Sequence, residues 1–159
     1  MKPRSSTIDA PGIRDLLSYR LHVVANLLSR GAELRYRREF GVSLWEWRTV
    51  ALLGGAAGAQ SLNDLARAAG IDKSQMSRVV SGLAKRRLVM RDANDADGRG
   101  VHLRLSKSGR KLYSGLIGAA TERDAAFRRC LTSSEKAVFE KALSKLAGRA
   151  RAFIQNEKE

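Results

Sequence analysis

Apolar residues return at steps of three and four along most of this chain, and one central stretch changes period. Leu16, Leu17, Leu21, Val24, Leu27, Leu28 and Leu34 predict a long helix from Pro11 to about Arg38. Gly31 is expected to interrupt it. Ser43-Leu44-Trp45-Glu46 has the form of a capping box, and Trp47, Val50, Ala51 and Leu53 give the helix it opens an inward face. Gly54-Gly55-Ala56-Ala57-Gly58 then reads as a flexible connection. Further on, Leu112, Leu116, Ile117, Ala120 and Phe127 predict a helix from Ser106 or Ser108 to about Cys130. A second capping box, Thr132-Ser133-Ser134-Glu135, opens a terminal helix striped by Val138, Phe139, Ala142, Leu143, Leu146, Ala150, Phe153 and Ile154. That stripe is broad for the last helix of a small domain. It is covered either from within the chain or by a helix of a second copy.

The stretch from Ser61 to Leu105 is organised differently. Leu62, Leu65, Ala66 and Ala69 form one stripe of a short helix, which Gly70 ends because glycine takes a positive φ without steric cost. Asp72, with Gln75 three residues on, predicts a capping box at the start of a helix over 73–86. Met76, Val79, Val80 and Leu83 make its inner face. At about 100° per residue the opposite face is centred on Ser74, Arg78, Ser81 and Lys85, with Gln75 and Ser77 on its flanks. Such side chains suit the major groove, where Arg pairs bidentately with guanine, Gln with adenine, and Ser with base edges or phosphate. An ordinary solvated helix face is polar too, so the next elements along the chain decide between the two readings. Leu88-Val89-Met90-Arg91-Asp92 is a short apolar run, and Val101-His102-Leu103-Arg104-Leu105 alternates with period two. Turn formers fill 93–100, so a β-hairpin is expected with Arg99 near its tip, a placement that suits a narrow minor groove.

Over residues 44–110 the chain resembles the MarR family of bacterial transcription regulators. The resemblance is carried by Leu65-Ala66, Ile71, Val79, Leu83, Lys85-Arg86, Leu88-Val89 and Arg91, then by the wing pair Asp97 and Arg99 and by Leu103-x-Leu105-Ser106-x-x-Gly109. Two positions depart from the family pattern. Arg87 stands where the family usually has Gly after the recognition helix, and Gly98 where a basic residue often separates the wing Asp and Arg.

The resemblance implies a mainly α fold with a small β-hairpin wing. It places a winged helix-turn-helix over 44–105, with helices over 11–40 and 106–156 forming a dimerisation base. It also implies a homodimeric, sequence-specific regulator of double-stranded DNA, a ligand-responsive repressor on a palindromic operator. The helix 73–86 of each copy would then enter successive major grooves about 34 Å apart. Ser74, Gln75, Ser77 and Arg78 are expected at base edges, with Ser81 on the same face. Arg67, Lys73, Lys85 and Arg86 are expected at phosphates, and Arg99 in the minor groove. Asp97 and Arg91 are expected to orient the wing, where Asp92, Asp95 and Asp97 stiffen the turn or pair with Arg91 and Arg99. Many proteins of this kind take a small aromatic or phenolic anion as effector. Tyr19, His22, Trp45 and Arg48 are the candidate pocket residues here; core packing is the plainer reading of Trp45 and Trp47.

Charge supports the same partner. Thirty Lys and Arg against 16 Asp and Glu give a net charge of +14, which favours a polyanion. The rival reading is a ligand-independent or architectural DNA-binding protein with little sequence preference. A membrane is not expected, since the longest apolar stretch, Val50 to Ala59, is ten residues and broken by Gly, against about 20 for a span. No apolar signal region follows Met1-Lys2-Pro3-Arg4, so a cytoplasmic location is expected. Gly-rich phosphate loops, His-Glu-x-x-His and Cys-x-x-Cys are absent, and His22 and His102 lie far apart, so neither an enzyme nor a metal or cofactor is expected. The wing carboxylates also fail the EF-hand spacing, because Arg104 stands where its Glu belongs. Cys130 is the only cysteine, which excludes an internal disulfide. Arg128 and Arg129 could activate its thiol for redox sensing, but a small, partly buried helix residue is the plainer expectation.

Overall fold

The computed structural model describes residues 12–93 and 101–157. In chain order these form α1 (Leu17–Phe40), α2 (Leu44–Gly55), β1 (Gln60–Ser61), α3 (Leu62–Ala69), α4 (Lys73–Lys85), β2 (Val89–Ala93), β3 (Val101–Leu105), α5 (Lys107–Arg128) and α6 (Ser133–Asn156). The protein is mainly helical, with one small antiparallel sheet.

The first helix begins later than its apolar pattern predicts. A 3-10 turn over Ile13–Asp15 and an extended Leu16 precede it, and Pro11 lies outside the described residues. Gly31 does not interrupt α1, which is continuous over 24 residues. One interior Gly costs only about 1 kcal/mol. The ion pairs Glu33–Arg37 (2.6 Å) and Arg35–Glu39 (2.9 Å), each one turn apart, brace the helix beyond it. The Ser43–Glu46 capping box forms as expected. Helix α2 then runs on through Gly54 and Gly55, so these two residues are helical and not a connector. The reason lies in packing: a Cβ on Gly54 would stand 2.5 Å from the Tyr113 ring, which lies against bare backbone. In the same way a Cβ on Gly115 would stand 2.9 Å from Phe40.

The expected hairpin is one part of a three-stranded sheet of order β1-β3-β2. Strand β1 pairs Gln60 with Leu103 and Ser61 with His102. Two residues carry no period, so pattern alone does not reveal this strand.

The chain divides into two compact units, residues 1–116 and 117–159. In the first, Tyr36, Val50, Leu65, Met76, Leu83, Leu103 and Leu116 are fully buried. Trp47 packs on Tyr36 with ring centroids 5.2 Å apart, which is its core role. Buried Thr49 donates its hydroxyl to the Trp45 carbonyl (2.8 Å) and lies 3.5 Å from the Met76 sulfur, tying α2 to α4. The second unit holds the end of α5 and α6, which opens with the Thr132–Glu135 capping box. None of the described residues of α6 is buried. Leu131, Val138, Phe139 and Ala142 line an open apolar groove of about 470 Å³. Cys130 is exposed, against the expectation of partial burial, because the helix ends around it; its thiol donates to the Phe127 carbonyl at 2.9 Å. No helix among the described residues is long and apolar enough to cross a membrane.

Candidate nucleic-acid interface

Two caps set the angle between α3 and α4. Ser61 Oγ accepts from the Asp64 amide at 3.1 Å and opens α3. Gly70, at φ 70°, closes it, with Gly70 N–H donating to the Arg67 carbonyl and Ile71 N–H to that of Ala66. Asp72 Oδ1 then accepts from the Gln75 amide (2.8 Å) and the Ser74 hydroxyl (2.6 Å), opening α4. The expected capping box is thus half made, because the Gln75 side chain does not return to the backbone of Asp72. The Ser74 hydroxyl and the Gln75 amide hold the Asp72 carboxyl below the usual carboxylate range.

Helix α4 buries Met76, Val80 and Leu83. Its outermost strip is Ser74, Arg78 and Lys85, all exposed, with Lys73 beside them at the helix start. Among the described residues no carboxylate pairs with Lys73, Arg78 or Lys85. The flanks are braced. On one side Arg86 Nη1 donates to Glu46 Oε1 at 2.9 Å, so the carboxylate that caps α2 also restrains the end of α4. On the other side Ser81 Oγ accepts from Arg91 Nη2 at 2.8 Å. Half-buried Ser77 lines a cavity of about 90 Å³ with Leu62, Val80, Arg91 and Leu103. Ser77 and Ser81 therefore face the seam with β2, and half-buried Gln75 lies near the N-terminus of α4. Arg67 on α3 is 3.4 Å from Asp64 and mostly exposed.

The turn after α4 answers the departure at Arg87. The residue adopts φ 57°, the left-handed region where glycine is ordinarily found. Leu88 N–H donates to the Leu83 carbonyl and Arg87 N–H to that of Ala84, both at 2.9 Å, which closes the helix in the form a glycine would give. Helix α5 is fastened onto this turn. Ser106 Oγ donates to the Arg87 carbonyl (2.7 Å) and accepts from Gly109 N–H (3.0 Å). A Cβ on Gly109 would stand 2.0 Å from the Leu88 carbonyl oxygen. The Leu-Ser-x-x-Gly spacing thus has a physical basis: serine caps and staples, and glycine permits the approach.

In the sheet, Asp92 accepts from both Nε and Nη2 of Arg104 and not from Arg91. The register explains the choice. Asp92 lies opposite His102 and Arg104 opposite Met90, so the two are diagonal neighbours on one face, while Arg91 lies opposite Leu103 on the other. Arg104 holds the Asp92 carboxyl below the usual range. Asp95, Asp97, Gly98 and Arg99 lie outside the described residues.

The candidate pocket residues are only partly brought together. Arg48 stacks on the Trp45 ring at 4.8 Å and donates to Ser29 on α1 at 3.3 Å. His22 pairs with Asn26 within α1 at 2.8 Å. Among the described residues no hydrogen bond or ring contact joins Tyr19 or His22 to Trp45 or Arg48.

Comparison with known proteins places this architecture. Residues 40–100 match the sequence model of the MarR family. No curated protein matches the sequence. Among solved structures, a MarR/EmrR family transcriptional regulator from Acinetobacter sp. ADP1 superposes with a TM-score of 0.81 at 24% identity, covering 89% of this chain and 99% of that one. The MepR–DNA complex of S. aureus gives 0.78 at 19% identity, covering 84% and 98%. A MarR family regulator from Silicibacter pomeroyi DSS-3 gives 0.73 at 26% identity, covering 86% and 99%. All three are described as transcription regulators. The head of this chain, over residues 40–100, is thus similar in sequence to the MarR family, and the chain shares its fold with solved regulators of that family.

Proposed function

We propose that the protein is a homodimeric, sequence-specific double-stranded-DNA-binding repressor that recognises a palindromic operator. The observation that carries this reading is the outer strip of α4, where Arg78 and Lys85 stand exposed without a described carboxylate partner while both flanks of the helix are braced. A rigid rod with free donors is what groove reading needs, since the ordering cost is met before binding. The net charge of +14 and the DNA in the MepR structure support the same partner. The dimer is supported by the exposed apolar stripe of α6, and two copies would read the two halves of a palindrome. Arg78 is assigned to a base edge and Lys85 to a phosphate.

Binding to a duplex selected from a random pool, compared with unselected duplex, tests the assignment. Arg78→Ala is expected to cost about 1–3 kcal/mol on the selected duplex alone and to relax preference at one base pair. Lys85→Ala is expected to weaken both duplexes alike and to lower the salt slope by about 1. Equal losses for both variants on both duplexes would point to a charge-only coating protein.

The repressor is further proposed to respond to a small aromatic anion beside Trp45 and Arg48, whose stacked cation and ring offer charge and a flat apolar wall. Such a ligand must bind the DNA-free state more tightly than the bound one. A thermal-shift series with aromatic acids is expected to show stabilisation that Trp45→Ala removes, together with loss of DNA affinity. No shift with any acid would leave a ligand-independent regulator.

A further inference from the structure

We infer that Arg91 is itself a DNA-contacting side chain, a phosphate anchor, and that Ser81 serves to position it. This rests on the DNA-binding reading above and changes who makes the contact. The helical pattern puts Ser81 on the outer face of α4, but the residue is half-buried and its hydroxyl already accepts from Arg91 Nη2 at 2.8 Å. A guanidinium carries five N–H donors in a fixed fork, and this bond takes one of them. Arg91 is exposed, and no carboxylate among the described residues pairs with it. Its neighbours are spent differently: Arg86 is held by Glu46 and Arg104 by Asp92.

Register and helix spacing then place the free donors. Arg91 lies opposite buried Leu103, on the face of the sheet turned toward α4. Ser81 is three residues from Arg78 and four from Lys85, neighbours on the same helix surface. The fork anchored on Ser81 therefore stands at the edge of the exposed cationic strip. A planar guanidinium there can grip a phosphate with paired hydrogen bonds, which a serine hydroxyl cannot do. A strand-borne arginine beside a groove-reading helix lies at the groove rim, where backbone is met before bases.

The test is a set of binding isotherms across rising salt on selected and unselected duplex, with wild type, Arg91→Ala, Ser81→Ala, Ser81→Thr and the double alanine variant. Arg91→Ala is expected to weaken both duplexes alike, by about tenfold at low salt, and to lower the slope of log K against log salt by about 1. Ser81→Ala is expected to lose a smaller factor, about threefold, equally on both duplexes, with recovery in Ser81→Thr and no further loss in the double variant. If Arg91→Ala is unfolded at the assay temperature, Arg91→Gln, which keeps an amide donor for Ser81, has the same expected slope. An unchanged slope, additive losses in the double variant, or a Ser81→Ala effect confined to one base pair would overturn the inference. Failure of the wild type to bind any selected duplex would instead count against the DNA-binding reading itself.

Discussion

Helix α4 buries Met76, Val80 and Leu83, whereas α6, at 24 residues against 13, buries none of its described residues. Both carry apolar side chains at helical spacing. In the head that stripe meets α2, α3 and the sheet, and the core closes within one chain. In the terminal unit Val138 is 65% exposed and Ile154 58%. Periodicity therefore reports a face and says nothing of its cover. A head that is finished alone can hold a rigid reading surface. An end helix with an uncovered stripe is material for association.

The contrast is tested most severely at Gly109. A methyl group there meets the Leu88 carbonyl oxygen at 2.0 Å, so Gly109→Ala must push α5 off the turn after α4. The expected cost is about 3 kcal/mol, a fall in melting temperature of about 6–12 °C. DNA affinity should fall with it, because that turn fixes the end of the reading helix. A melting temperature within about 1 °C of wild type would show that the staple is not what closes the head.

The terminal unit should respond in the opposite sense. Phe139→Asp puts a charge on the open groove of α6, which residues of the terminal unit line. Sedimentation is expected to show association weakened by about 2–4 kcal/mol, with the near-ultraviolet signature of the head unchanged. A dimer of unaltered affinity would mean that this stripe is not the association surface.

Arg87→Gly tests a smaller effect with the reverse sign. Glycine relieves the left-handed strain at φ 57°, so stability is expected to rise by about 0.5–1 kcal/mol by denaturant titration. A loss of stability would mean that the arginine side chain compensates for its backbone.

Acid gives the smallest change. Arg104 holds the Asp92 carboxyl below its ordinary value, which is near 3.9. A carboxyl depressed in the folded state adds stability above that value and loses it as pH falls through the folded-state value. The melting temperature is expected to be level from neutral pH to about 5 and to decline below about 4, less steeply in Asp92→Asn. A rise on acidification would reverse the assigned sign.

Much of the head was legible because its signals are local. Gly70, the Asp72 cap, the Ser43–Glu46 box and the stripe Met76, Val80, Leu83 each specify their neighbours within a few residues, as the Thr132–Glu135 box does in the terminal unit. What escaped was pairing at a distance. Strand β1 is two residues long and exists because β3 lies beside it. The partners of Arg86 and Arg104 lie 40 and 12 residues away, so spacing along the chain does not reveal that Glu46 and Asp92 engage them. Ser77 and Ser81 read as outward by angle, but β2 comes to their flank.

Spacing and residue type were enough to specify amphipathic helices around a helix-turn-helix with a β-hairpin, because backbone caps and helical or alternating periods act over about three to eight residues. Packing between elements settled which cations remain available: Arg78, Lys85 and Arg91 without a described carboxylate, Arg86 and Arg104 claimed by one. It also settled that Gly109 and Gly54 must lack a Cβ. Such outcomes depend on which surfaces approach within a few ångströms, and that is set by elements far apart in the chain.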